Sequence, residues 1–195
     1  FKIFLQIWRV SVLHSDKHAL LLEQLIPGLS LKTYLPDRKD EARLFMCQTM
    51  ERLHQAPLSQ NARTSFPAIA DLLKTLDKEW NIPHEYLVKA RFLKNTLLTH
   101  SRPHVLLHGD LHHDNILLQD KKWIVIDPQG VIGPPMSEIW AFIIDPIADT
   151  EYVATYFNDS LSTVREWYFV RLILASCWNL EDRLSPERFL ELAKQ

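Results

Sequence analysis

Residues 104–130 constrain this chain more than any other stretch. They read His-Val-Leu-Leu-His-Gly-Asp-Leu-His-His-Asp-Asn-Ile-Leu-Leu-Gln-Asp-Lys-Lys-Trp-Ile-Val-Ile-Asp-Pro-Gln-Gly. Asn115 to Leu118 and Trp123 to Ile126 are two β-prone apolar runs separated by the polar turn Gln119-Asp120-Lys121-Lys122. That pattern predicts a β-hairpin. It puts Asn115 at the start of one strand and Asp127 at the end of its antiparallel partner, on one edge, although twelve positions separate them. His104 to Leu107 reads as a short strand leading into the loop that carries Asp110.

Asp110, Asn115 and Asp127 are the groups that phosphoryl transfer requires. One carboxylate meets the proton of an attacking hydroxyl, and an Asn and a second carboxylate hold Mg²⁺ on the phosphates. Mg²⁺ prefers oxygen ligands and takes few carboxylates, with phosphate and water completing its shell. The protein-kinase catalytic loop, H-R-D-x-x-x-x-N, has the same Asp-to-Asn spacing. Gly109 and Gly130 allow the backbone angles that such loops need. Any one of the three residues alone reads as a turn former; it is the whole array between flanking strands that points to chemistry. A rival reading takes His108, His112, His113, Asp110 and Asp114 as a Zn²⁺ set of a hydrolase. Adjacent His112 and His113 should diverge, however, and His108 reads more simply as a buried histidine holding the loop.

The rest of the chain reads as mainly helical. Asp40 to Gln55 places Ala42, Phe45, Met46, Thr49 and Leu53 on one face. Pro67 to Trp80 and Pro83 to Thr99 read as further helices, the latter with Tyr86, Ala90, Leu93 and Leu97 in register. Met136 to Ile144 is short and apolar, and Thr163 to Leu180 reads as a core helix whose Trp167, Tyr168, Phe169 and Trp178 are packing residues. Ser185-Pro186 is a helix-start pair. With 195 residues, 47% of them hydrophobic, the chain can bury a full core. Its 22 basic and 24 acidic residues leave no basic footprint for nucleic acid. Charges interrupt every apolar run, so no membrane span is expected. Cys47 and Cys177 read as two reduced, buried thiols of a cytoplasmic protein.

The loop L-L-H-G-D-L-H-H-D-N-I-L followed by W-I-V-I-D-P-Q-G-V-I-G resembles the aminoglycoside and hydroxyurea resistance kinases, the streptomycin phosphotransferases among them. Leu20 to Leu31 resembles their hinge segment, Leu53-His54 also fits, and so does Gly133 to Ile144 followed by Asp145-Pro146. The resemblance covers roughly residues 9–146. It implies an α+β, protein-kinase-like C-lobe, mainly helical with a small catalytic hairpin, preceded by a remnant N-lobe hairpin and hinge. The implied division is 1–25 for the remnant and 26–195 for the C-lobe. Asp110 is then the catalytic base, and Asn115 and Asp127 are the Mg²⁺ ligands. The Glu23-Gln24-Leu25 backbone meets the adenine of ATP, and Leu117 and Ile126 form the floor beneath it. The implied acceptor is a small-molecule hydroxyl, on an aminoglycoside or hydroxyurea. Two departures stand out: Asp114 where a Gly is usual, and Gln129 where a Lys is usual.

None of the four glycines precedes Gly28, and Lys2 and Lys17 are poor candidates for a phosphate-pairing lysine. The expectation is therefore a fragment whose N-lobe remnant is a hairpin near Trp8 to Leu13 and Ala19 to Leu25. A catalytically silent nucleotide-binding or scaffold protein is the alternative to an enzyme. A polycationic acceptor calls for carboxylates near Asp110, for which Glu138, Asp145, Asp149, Glu151, Glu181 and Asp182 are the candidates.

Overall fold

The computed structural model describes residues 10–57, 64–99 and 103–195. The chain opens with a hairpin of β1 (Val12–Ser15) and β2 (Leu20–Leu22). Its turn is fastened by the Asp16 carboxylate, which accepts from the backbone N–H groups of His18 (2.7 Å) and Ala19 (2.8 Å). The expected strand start at Trp8 lies outside the described residues, as does Lys2.

β3 (Pro27–Ser30) pairs antiparallel with β5 (Ile116–Gln119), which pairs with β6 (Lys122–Val125). The expected hairpin therefore exists, and its register sets Ile116 opposite Val125 and Leu117 opposite Ile124. The Ile126 N–H continues the pairing to the Asn115 carbonyl at 3.0 Å. Asp120 turns the chain with a positive φ of 54°, which a short polar side chain tolerates. A separate pair, β4 (Val105–Leu107) with β7 (Val131–Gly133), runs antiparallel beneath the loop that carries Asp110. Neither β3 nor β7 was expected from the sequence.

The helices supply the core. α1 (Lys39–His54) buries Ala42, Met46, Cys47, Met50 and Leu53, while Phe45 packs against Trp123, 5.5 Å between ring centroids. The helix expected over 67–80 is shorter than its periodicity suggests. Pro67 and Ala68 are extended and pair with β7: the Ile132 N–H donates to the Pro67 carbonyl at 2.8 Å. Only α2 (Ile69–Leu72) is α-helical, and the chain continues as a 3₁₀ helix over Leu73–Asp77. Arg91 closes that end, donating to the carbonyls of Leu76 and Lys78, both at 2.8 Å.

α3 (His84–Thr99) lies against α5 (Leu161–Glu181), which runs through the centre with nearly every residue from Trp167 to Cys177 buried. The apolar segment after β7 is a 3₁₀ helix, Pro135–Ala141, packed on α5. α4 (Pro146–Tyr156) follows. The Asp145 carboxylate accepts from the Ala148 N–H at 3.1 Å, and Pro146 stands at the first helical position, the combination that starts a helix most readily. At the start of α6 (Glu187–Leu192) Pro186 stands one position earlier than expected, at the cap, and Ser185 Oγ accepts from the Glu187 N–H at 3.2 Å. Both cysteines are buried free thiols. Among the described residues no helix is long and apolar enough to cross a membrane.

Candidate active site

The loop after β4 is held by a histidine. His108 is fully buried. Its Nε2 lies 2.9 Å from the Ile126 carbonyl, and its Nδ1 accepts from the Asp110 N–H at 3.3 Å. These partners select the neutral tautomer with the proton on Nε2. Burial lowers the pKa of this ring, which keeps it neutral. The His108 carbonyl accepts from the N–H groups of both Gln129 (2.9 Å) and Gly130 (3.0 Å). One residue thus fastens the Asp110 loop to the segment carrying Asp127. Gly109 sits between them with φ +92°, and a Cβ there would stand 3.2 Å from both Gln129 Cβ and Val131 Cγ2. A side chain at this position would push the two segments apart.

Asn115 ends a 3₁₀ turn (His113–Asn115) and is 8% exposed. Its Nδ2 donates to the Asp110 backbone carbonyl at 2.9 Å. The bond orients the amide and leaves Oδ1 as an open acceptor. Asp127 follows Ile126 in the left-handed region, φ 57°, and is exposed. Among the described residues no donor or cation pairs with its carboxylate. Asp110 is half-buried, with its Oδ2 3.7 Å from His112 Nε2. The fields of Asp110 and Asp127 both reach the His108 ring. The Asn115 bond to the Asp110 carbonyl and the bonds from Gln129 and Gly130 to the His108 carbonyl fasten together the three segments that carry Asp110, Asn115 and Asp127. The buried amide oxygen of Asn115 and the exposed carboxylate of Asp127 are oxygen donors of the kind a hard divalent ion takes.

The histidine cluster is not gathered as a metal site. His112 turns toward Asp110, whereas His113 turns inward, is 9% exposed and has its pKa lowered by burial to about 4. No group of three His, Cys, Asp or Glu side chains that would hold a metal occurs among the described residues.

Beneath the loop lies a buried pair that the sequence reading left undecided or missed. Glu138 is 0% exposed. Its Oε2 accepts from the His108 N–H at 2.5 Å and its Oε1 from the Gly109 N–H at 3.0 Å. Burial raises its pKa to about 7, against the pull of those two N–H groups and of Arg171. Arg171, on α5 and 2% exposed, donates through Nη2 to the Gly109 carbonyl at 3.2 Å. Both faces of the Gly109 backbone are thus gripped by charged groups. Glu138 braces the loop from below and does not line an acceptor site.

Three of the other carboxylates proposed for a polycation are also committed elsewhere. Asp149 is buried and paired with Arg43 Nε at 2.6 Å, with its second oxygen accepting from the N–H groups of Ile144 and Asp145. Glu151 pairs with Arg165 at 3.3 Å and Glu181 with Lys78 at 3.4 Å. Asp114, the departure noted above, pairs with Lys32 at 2.8 Å and accepts from Ser30 Oγ at 3.2 Å.

The hairpin has two unlike faces. Ile116, Leu118, Trp123 and Val125 join the main core. Leu117, Ile124 and Ile126 share the opposite face, outside it, with Leu117 and Ile126 half-buried. Ile124 belongs with the two residues the sequence singled out. Along the hinge, the Glu23 N–H donates to the Ser11 carbonyl at 2.9 Å, and the Glu23 carboxylate accepts from Ser11 N–H and Oγ, both at 3.0 Å. The backbone groups of Gln24 and Leu25 carry no hydrogen bond among the described residues. On the other side of Asp110 opens a cleft of about 370 Å³ lined by His112, Trp140, Ile143, Arg188 and Phe189 among others.

Residues 7–167 match the model of a family described as aminoglycoside/hydroxyurea antibiotic resistance kinase. The chain belongs to this family. It is 36% identical over 102 residues to streptomycin 3''-kinase of Klebsiella pneumoniae, covering 48% of this chain and 35% of that protein. To streptomycin 6-kinase of Streptomyces griseus it is 28% identical over 95 residues, covering 41% and 31%. The chain thus spans about a third of the length of the curated relatives it matches. Among solved structures, the aminoglycoside phosphotransferase APH(4)-Ia in a ternary complex with ADP and hygromycin B gives a TM-score of 0.70 at 13% identity, over 98% of this chain and 81% of that one. The GDP and kanamycin complex of APH(2")-IIia gives 0.66 at 16% identity, over 99% and 78%. A choline/ethanolamine kinase family protein from Mesorhizobium loti gives 0.63 at 18% identity, over 95% and 69%. The fold is the α+β, protein-kinase-like one that the loop motif implied.

Proposed function

We propose that this chain carries the catalytic lobe of an ATP- and Mg²⁺-dependent phosphotransferase that moves the γ-phosphate to a hydroxyl of a small molecule. One observation carries the reading. The Asn115 amide donates to the Asp110 carbonyl at 2.9 Å, which supports the reading because it leaves the amide oxygen available to a metal next to the proposed base. Asp110 accepts the hydroxyl proton as attack proceeds, in the manner of a general base. Asn115 and Asp127 are the ligands that would hold Mg²⁺, which when bound neutralises charge on the phosphates. Leu117 and Ile126, with Ile124, floor the adenine, and the open backbone of Gln24 and Leu25 beside Glu23 meets its edge. In this reading residues 1–25 belong to an N-terminal lobe and 26–195 to the C-terminal lobe. The setting is cytoplasmic, where ATP is supplied.

The family description and the relatives' names offer streptomycin and hydroxyurea as the first acceptors to assay. Calorimetry with Mg²⁺-ATP, followed by product analysis with each acceptor, tests the reading. Nucleotide binding with transfer that vanishes in Asp110→Ala is the expected result. Binding with no transfer to any hydroxyl would instead favour a silent nucleotide-binding protein.

A further inference from the structure

The two adjacent histidines of the loop have separate fates, and the outer one stands beside the proposed base. His112 is locked at three points. Its N–H donates to the Asp110 carbonyl at 3.1 Å, its carbonyl accepts from the Asn115 N–H at 2.9 Å, and its Nδ1 accepts from the Asp114 N–H at 3.2 Å. The last of these caps the 3₁₀ turn His113–Asn115. A backbone N–H only donates, so Nδ1 carries no proton and the ring bears its proton on Nε2. That nitrogen lies 3.7 Å from Asp110 Oδ2. Both side chains line the cleft, 35% and 31% exposed. Among the described residues Asp110 is the carboxylate that pairs with this ring. The Asp114 carboxylate, two positions on, is held by Lys32 and Ser30 Oγ instead.

The separation is longer than a hydrogen bond. A small rotation of either side chain closes it, and hydrogen bonds of catalytic groups commonly tighten as substrate binds. A carboxylate that turns freely about its Cβ–Cγ bond presents either oxygen in many directions. A donor on Oδ2 fixes its plane and leaves Oδ1 to meet the acceptor hydroxyl.

We propose that His112 is a positioning residue within the phosphotransferase reading, on which this inference rests: its Nε2–H holds Oδ2 of Asp110 so that Oδ1 takes the acceptor proton. As the acceptor oxygen bonds to the γ-phosphorus and the bond to the leaving ADP breaks, the hydroxyl proton passes to Oδ1, and His112 keeps its own proton throughout. The two nitrogens of one ring thus do two jobs. Nδ1 caps the turn, and Nε2 aims the base.

Two substitutions separate the jobs. In His112→Asn the amide oxygen stands about where Nδ1 was and still caps the turn, since Asn is among the best caps, but no donor reaches Asp110. In His112→Gln the longer amide brings an N–H to about the place of Nε2, and the cap is lost. Rates are measured on the full chain with Mg²⁺-ATP and whichever of streptomycin and hydroxyurea gives transfer in wild type. In His112→Asn kcat should fall about 10- to 100-fold, with KM for Mg²⁺-ATP within about twofold of wild type and the thermal melt unchanged. His112→Gln should recover most of the lost kcat while melting about 2–4 °C lower. A role confined to capping gives the reverse order, with His112→Asn active and His112→Gln impaired, and that order or an equal loss of kcat in both overturns the proposal. Long-range ¹H–¹⁵N NMR reads the tautomer without turnover, the His112 signals being those that vanish in His112→Asn; a proton on Nδ1 also overturns it. Failure of the catalytic reading looks different: wild type itself transfers phosphate to neither acceptor, and the proposal falls with it.

Discussion

The side chain of Asn115 is clipped to the main chain of Asp110: Nδ2 donates to the Asp110 carbonyl at 2.9 Å. The bond ties the proposed metal edge to the proposed base, so that neither moves without the other. Asn115→Ala removes both the clip and the free oxygen. Loss of the clip should cost about 1 kcal/mol of stability, and loss of the ligand should raise the Mg²⁺ concentration at half-maximal rate about tenfold or more. A Mg²⁺ titration of the rate, beside a thermal melt, separates the two effects. A variant with unchanged Mg²⁺ dependence would remove Asn115 from the site.

Asp110→Asn keeps the size of the side chain and the backbone bonds of the loop. It takes away only the capacity to accept a proton. Turnover should fall by about 10²- to 10⁴-fold, with Mg²⁺-ATP affinity within about twofold of wild type. Steady-state kinetics and calorimetry measure the two. A variant with near-normal turnover would rule out the base.

Glu138 gives a pH prediction. Both of its oxygens accept N–H groups from the loop, so the ionised form is the one that suits the site. Burial raises its pKa from the ordinary 4.5 to about 7. The rate should therefore rise with pH through about 7 as the carboxylate ionises. Glu138→Gln offers one acceptor where two are needed, so the rate constant should fall about 10- to 100-fold and the limb near pH 7 should disappear. Measuring the rate constant from pH 5.5 to 8.5 in both proteins tests this. A limb that persists in the variant would assign it to another group.

The ion pair of Lys32 with Asp114 invites overvaluation. Both side chains are largely exposed, 65% and 49%, and exposed pairs contribute about 0–1 kcal/mol. Asp114→Gly, which restores the residue usual in the resembled loop, should leave stability within about 1 kcal/mol of wild type. Its melt should respond little to added salt. A larger loss would mean that Asp114 holds the loop through Ser30 and not through charge.

What the sequence disclosed follows from which forces are local. The β5–β6 hairpin was legible because its two apolar runs and polar turn lie within a dozen residues. The start of α6 was legible because Ser185 and Pro186 are neighbours. β7 was not, since three residues form a strand only against β4, on the far side of the loop. β3 was hidden by its own Pro27 and Gly28, which argue against a strand; as an edge strand it tolerates both. At the site, Asp110, Asn115 and Asp127 stood out through spacing. Glu138 and Arg171 carry no spacing signal. A usable one was available: each is a lone charge within an apolar run, Met136 to Ile144 and Trp167 to Cys177, and such a charge is rarely buried without a partner. Ile124 was missed because Leu117 and Ile126 came from the resemblance alone, without the cross-strand register that joins all three.

Acid stability tests the burial of the histidines against that of Glu138. His54 at the end of α1 has a buried Nε2 with no partner, and burial lowers its pKa from the ordinary 6.5 to about 4. Between those values the unfolded chain holds a proton that the folded chain refuses. Stability is therefore full above about 6.5 and drains as pH falls toward 4. A span of about two and a half pH units at about 1.4 kcal/mol each sets an upper limit of about 3.5 kcal/mol. His113, shifted equally by its burial, adds a similar slope. Glu138 acts in the opposite sense: its folded pKa lies above the ordinary one, so its contribution is full below 4.5 and is lost as pH rises through 7. Denaturant melts at pH 7.5, 6 and 5 should show His54→Leu losing less stability than wild type on acidification. Glu138→Gln should lose more, because it lacks the opposing gain. If His54→Leu follows the wild-type slope, His54 is protonated in the folded chain, and the closed environment described for it is wrong.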